Sequence, residues 1–272
     1  MMNTLTCNLH LMLMAFYQPE GKRYKILMEK RAFPSDYHAI ISQIQWHKLN
    51  PAEVLIEVEP RQGETTINSD DIRKILEEQG ESIALVLFGG VHSFTGQLMD
   101  MERITSWGRA AGCKVGFDCA HAVGNVPLSL HDWGCDFAVW CSYKYMNCGH
   151  ACLGGLFVHS RHCAVSLIDP TLPTPPGSEP VQCAPSIYEG NYLQPVPRRM
   201  AGWWGHRLQD RFEMEPYFVT EGGASGFRMS GASVVSISCV KAAMEVMEEV
   251  RYYTTNLSIV LMLLLYLCYV SL

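Results

Sequence analysis

Two side chains in this sequence have types and spacing that could do chemistry together. Asp118 closes the apolar run K-V-G-F-D (114–118), and Lys144 follows the run D-F-A-V-W-C (136–141). Both runs read as short buried strands. In an open parallel sheet, ligands sit beyond the carboxyl ends of the strands, so an acid and an amine are delivered to one edge. Pyridoxal phosphate needs that pair. A lysine holds it as a Schiff base, and a carboxylate keeps its ring nitrogen protonated so that the ring withdraws electrons. On spacing alone, a strand-end aspartate and a solvated lysine fit the same pattern and are the commoner case.

The elements that must position the pair are legible in order. Thr4 or Thr6 can cap a helix running to about Tyr17, with Leu5, Leu9, Met12, Leu13 and Phe16 on its apolar side. Tyr24–Glu29 reads as a strand. Phe33-Pro34-Ser35-Asp36 follows, with Asp36 expected to cap a helix to about His47. A strand is expected over Val54–Val58. Asn68 or Ser69 then caps a helix to Gln79, with Gly80 as its C-cap. Ile83–Phe88 is a continuous apolar run, as in a strand buried on both faces. The loop after it, G-G-V-H-S-F-T-G-Q, lacks the G-K-[ST] ending of a phosphate-binding P-loop. A helix over Met101–Ala111 stops at Gly112, and the Asp118 strand comes next. A further strand is expected at Gly154–Val158 and a helix at Val234–Glu249. This alternation predicts an α/β fold, a predominantly parallel sheet with helices on both faces.

Two stretches, F-D-C-A-H-A-V-G-N-V and L-H-D-W-G-C-D-F-A-V-W-C-S-Y-K-Y, strongly resemble kynureninase, a pyridoxal-phosphate enzyme of aminotransferase fold type I. The motif A-F-P-S-D matches the same family. The resemblance covers most of residues 1–163 and resumes around Ala201–Ser230 with A-G-W-W-G-H-R-L and S-G-F-R-M-S. It implies the large domain of that fold, here incomplete, with the N-terminal segment and the small C-terminal domain missing. By resemblance, Leu5 and Thr6 contact the cofactor phosphate at a helix N-terminus, a natural anion site. Phe33, Pro34, Ser35 and Asp36 join the cofactor pocket, where an aromatic ring can stack on a pyridine. Without the motif, F-P-S-D would be only a capped helix start. His121 is likewise a pocket residue by resemblance, although a lone histidine after a strand is as readily a packing residue. Tyr143 would bond the phosphate and relay protons. Trp203 would reach the phosphate of a neighbouring subunit, which implies a homodimer.

The implied reaction is hydrolysis of L-kynurenine or 3-hydroxykynurenine to anthranilate or 3-hydroxyanthranilate plus alanine, in tryptophan catabolism towards NAD. The catalytic residues would be Lys144, Asp118 and Tyr143. The alternative is a non-catalytic fragment that binds pyridoxal phosphate or pairs with a full-length subunit. The sequence also departs from the family. Gly89 stands where the family has a serine, which loses a hydroxyl contact to the cofactor and leaves open one through the backbone. Gly231 stands where it has an asparagine that touches phosphate. N-C-G-H-A-C-L-G-G puts bulkier residues, Cys148 and His150, beside Lys144.

Composition bounds the remaining possibilities. The net charge of −6 and the absence of a Lys/Arg run argue against a nucleic-acid partner. The 11 cysteines include no C-x-x-C pair, which favours reduced thiols in the cytoplasm over a disulfide framework. Cys141, Cys148, His150 and Cys152 fit no standard zinc spacing, so no metal is expected. Residues 1–164 then form the cofactor-binding domain, and residues 199–251 its remainder. Residues 165–198 hold eight of the 14 prolines and read as an unstructured insertion, as from translated non-coding sequence. Residues 252–272 carry no charge and are long enough to span a bilayer. They are either a tail anchor, which would tie the protein to a membrane, or the end of a mis-spliced frame.

Overall fold

Six strands form one sheet in the order β2-β1-β3-β4-β5-β6. The computed structural model describes residues 1–163, 199–214 and 218–250; the expected insertion and apolar tail lie outside them. The strands are β1 (Lys25–Glu29), β2 (Leu55–Val58), β3 (Ile83–Gly89), β4 (Lys114–Asp118), β5 (Phe137–Cys141) and β6 (Gly154–Val158). The first five are mutually parallel, and β6 runs antiparallel to β5. The chain adds β2 on one side of β1 and β3 on the other. Strand order therefore reverses between β1 and β3, the kind of crevice in which open α/β sheets bind ligands.

Side-chain alternation splits the core into two layers. Ile26, Met28, Leu85, Leu87, Phe137 and Val139 face one layer with helices α1 (Leu5–Phe16) and α2 (Pro34–Trp46). Leu27, Val86, Phe88, Val115, Phe117 and Ala138 face the other, under α4 (Ser69–Gln79) and α5 (Met101–Ala110). Both faces of the sheet are thus covered by helices, and the inner residues of its central strands are apolar or glycine, as in Ile83–Phe88 of β3. Two short helices, α3 (Pro51–Val54) and α6 (Leu130–Trp133), and a last helix over 234–250 complete the described α-helices. Gly116 of β4 makes room for its neighbour: a Cβ there would lie 2.2 Å from the Phe137 ring.

Several local expectations are corrected. Asp36 does not cap α2. Phe33 holds the N-cap position, and Asp36 sits inside the first turn, buried. Thr4 occupies the N-cap of α1 without a capping bond. Pro51–Val54 is a helical turn, because Asn50 accepts from the Ala52 N–H, so β2 starts at Leu55. Gly80 follows α4 in a right-handed conformation (φ −55°) and opens a 3₁₀ turn. Its smallness is needed instead for packing, since a Cβ would lie 2.6 Å from that of Ala111.

Candidate active site

Four of the five parallel strands bring their carboxyl ends to one rim: Glu29 ends β1, Gly89 ends β3, Asp118 ends β4, and Ser142-Tyr143-Lys144 follow β5. Ladder register makes Gly89 and Asp118 direct neighbours, and the Gly90 N–H donates to the Asp118 carbonyl at 2.7 Å. The opening of α1 reaches the same rim because the segment before it pairs with the start of β6. The Met2 N–H donates to the Gly154 carbonyl, and the Gly154 N–H to that of Asn3. Buried Asn8 locks this join by donating to the carbonyls of Met2 and Gly155. The Thr6 and Ser35 hydroxyls then meet at 2.7 Å, tying the first turns of α1 and α2 together.

A cavity of about 870 Å³ lies inside this rim. Leu5, Thr6, Phe33, Pro34, Ser35, Asp36, Asp118, His121, Tyr143 and Lys144 all line it. Trp203 does not. It is 44% exposed, its indole N–H donates to the Arg211 carbonyl at 3.0 Å, and its ring meets those of Trp204 and Phe212 edge-on. Cys148 is buried in a small separate cluster with Met146 and Cys152 against the helix over 234–250, away from the cavity lining. Among the described residues, no group of three His, Cys, Asp or Glu side chains is arranged to hold a metal.

Three acids crowd the cavity floor. Glu29, Asp36 and Asp118 are respectively 5%, 6% and 7% exposed. One Asp118 oxygen accepts the Ala120 N–H at 2.7 Å, and one Glu29 oxygen accepts the Gly89 N–H at 2.9 Å. Asp36 Oδ1 is buried with no hydrogen-bond partner. Burial first, and then the neighbouring Asp118, push the Asp36 carboxyl well above the usual carboxylate range. Burial also raises Asp118, against the opposing pull of the Ala120 N–H, Asp36 and Lys144. Glu29 is pushed up to about 7, chiefly by burial. The Lys144 ammonium lies 5.5 Å from the centre of the Phe33 ring and acts electrostatically on Asp118, Asp36 and His121. Among the described residues, no ion pair within 4 Å joins Lys144 to any of the three acids. The floor is thus an acidic well with one amine above it.

The sequence reading missed Glu29, although the strand-end rule that found Asp118 applies equally to Y-K-I-L-M-E. It also missed Arg31, Val91, Ser93, Phe94 and Ala120, which line the cavity from loops. The backbone N–H left open for a contact at Gly89 is already engaged, because it is bonded to Glu29.

Comparison with known proteins gives this arrangement a context. A profile of the class-V aminotransferases matches residues 20–198. The chain belongs to the class-V aminotransferase family. The match runs across the proline-rich stretch. Among curated relatives, a kynureninase of Koribacter versatilis is 45% identical over 91% of this chain and 52% of its own length. The kynureninases of Mus musculus and Homo sapiens are 44% and 42% identical over 92% of this chain and 47% of theirs. The resemblance read from the motifs is therefore borne out, and the chain spans about half the length of the curated relatives it matches. Among solved structures, a C-DES mutant with glycine covalently linked to its PLP cofactor superposes with a TM-score of 0.66 at 14% identity, covering 91% of this chain and 55% of that one. At that identity the likeness establishes the fold, in agreement with the α/β reading.

Proposed function

We propose that the chain binds pyridoxal phosphate on Lys144 and takes part in the hydrolysis of L-kynurenine and 3-hydroxykynurenine to anthranilate or 3-hydroxyanthranilate plus alanine. The observation that carries this reading is the meeting of one lysine with buried acids in one cavity beside the β1–β3 crevice. The kynureninase names of the relatives supply the substrate class.

The residues present fit the cofactor. Asp36 Oδ1 lacks a partner, and the buried acids together outnumber the nearby amine, so the well accepts a protonated ring nitrogen. The first turn of α1 has no side-chain cap, which leaves its backbone N–H groups available to a phosphate beside Thr6 and Ser35. When bound, the cofactor supplies an electron sink for the carbons next to the substrate amine. Asp118 carries the negative charge that keeps that sink electron-poor. Lys144 would hold the cofactor and is placed to move the proton from the substrate's α carbon. Tyr143, at the same rim and 46% exposed, bonds phosphate and relays protons towards the leaving carbon. Phe33, before α2, and His121, after β4, line the cavity and would bound the space for the ring. A homodimer belongs to this reading, with the exposed Trp203 exchanging its bond to Arg211 for one to a neighbouring copy's phosphate.

The experiment is to add pyridoxal phosphate to the full chain, record the visible absorption of the bound group, and assay anthranilate release from kynurenine. Absorption with release supports the reading. Absorption without release assigns cofactor binding alone, the non-catalytic alternative. Neither signal refutes both.

A further inference from the structure

The loop between β3 and α5 reaches the cavity through Ser93 and Phe94, and its tip is tied back by one buried side chain. The base of the loop is closed by backbone. Val91 bridges Leu98, and the His92 N–H donates to the Gln97 carbonyl at 2.8 Å. The Gln97 side-chain amide clamps Ile67, accepting its N–H and donating to its carbonyl, each at 2.7 Å. Beyond that base, the Phe94 and Thr95 N–H groups both donate to Nδ1 of His92 at 3.2 Å. His92 is buried. A ring nitrogen that accepts carries no proton, so the proton sits on Nε2, 3.5 Å from the Lys30 carbonyl. At the tip, Phe94 is 77% exposed, and Ser93 beside it is exposed as well. Phe94 also lines an adjoining hollow of about 370 Å³, and only Arg31 shares both linings with it. The position of the Phe94 ring therefore sets where the cofactor cavity ends.

We propose that His92 is a positioning residue for the cavity wall: its imidazole holds the loop tip so that Phe94 stands as an aromatic face for the aryl end of the substrate. Two backbone N–H groups bonded to one buried acceptor leave the tip little freedom. A bare ring in a cavity wall offers stacking area to another ring. The aryl class of ligand rests on the kynurenine reading above, whereas the fastening of the tip does not, so the two fail in different ways.

The test compares wild type, His92→Asn, His92→Ala and Phe94→Ala, each as the full chain. The amide oxygen of asparagine can stand where Nδ1 stands and accept the same two N–H groups, and alanine accepts nothing. In the cofactor-free protein, amide exchange at Phe94 and Thr95 is expected to be about tenfold faster in His92→Ala than in wild type and within about threefold of wild type in His92→Asn. If His92→Ala does not fold, His92→Leu, which fills the space but accepts nothing, takes its place. Equal exchange in wild type and the variant without an acceptor overturns the inference, whatever the cofactor does. The ligand is then read by fluorescence titration of anthranilate onto the chain loaded with pyridoxal phosphate. His92→Ala and Phe94→Ala are each expected to bind it roughly fivefold to tenfold more weakly, with His92→Asn restoring the affinity. Unchanged affinity in both alanine variants, or no binding by loaded wild type, overturns the inference and leaves cofactor attachment intact. If wild type takes up no pyridoxal phosphate, the cofactor reading fails, and the exchange comparison still decides the role of His92.

Discussion

Asp118 and Asp36 look alike in the sequence, yet the structure gives them different surroundings. Asp118 is held by the Ala120 N–H, whereas one Asp36 oxygen has no partner at all. An acid with a bonded backbone N–H keeps its charge more easily than one without. Asp118 is therefore the charged member, and Asn at that position isolates its charge, because the amide oxygen can still accept from Ala120. Asp118→Asn is expected to leave cofactor attachment at Lys144 detectable while lowering anthranilate release about a hundredfold or more. An unchanged rate at saturating kynurenine would remove Asp118 from the mechanism.

At the scale of elements, the strand ends and the two-sided core were legible because each needs only local information. A continuous apolar run ended by a polar residue marks a buried strand and its rim, as in Lys114–Asp118. Three things were not local. The direction of β6 depends on its pairing with β5. The role of Asp36 depends on α2 starting three residues earlier than its side chain suggested, which turns it into the cavity. The importance of Glu29 depends on strand order, which no window of sequence contains. Trp203 is a different case, since its expected contact belongs to a second copy.

The far end of the sheet has its own fastening. Asp136, just before β5, accepts the Val115 N–H at 2.7 Å, the Arg161 guanidinium at 2.7 Å, and lies 2.6 Å from the His162 ring nitrogen. Burial pushes this carboxyl up, but His162, Arg161 and the Val115 N–H together draw it down to about 2. Its stabilising effect is thus present above its ordinary value of 3.8 and lost as pH falls towards 2. Asp136→Asn is expected to cost about 3 kcal/mol in urea unfolding at neutral pH, since it leaves half-buried Arg161 without its counter-ion beside buried His162. A loss below about 1 kcal/mol would mean that the fastening contributes little.

For the whole molecule, the acidic well sets the pH response in the absence of cofactor. Asp36 and Glu29 both have raised values, so each favours the folded state most at low pH. That contribution is complete below their ordinary values of 3.8 and 4.5 and disappears as pH rises through the raised ones. The cofactor-free protein is expected to melt at least about 4 °C lower at pH about 9 than at pH about 6, and Asp36→Asn is expected to shrink that difference. Thermal denaturation across that range checks it. An equal difference in the variant would place the pH response elsewhere. Pyridoxal phosphate, bringing a cationic ring nitrogen into the well, should offset the loss in wild type.

The account rests on Lys144 being the amine that carries the cofactor. The most direct measurement is to load the full chain with pyridoxal phosphate, reduce with borohydride, digest, and locate the added pyridoxyl mass. The account predicts that mass on the peptide containing Lys144 and its absence there after Lys144→Ala. The same label on another lysine, with Lys144 unmodified, would contradict it.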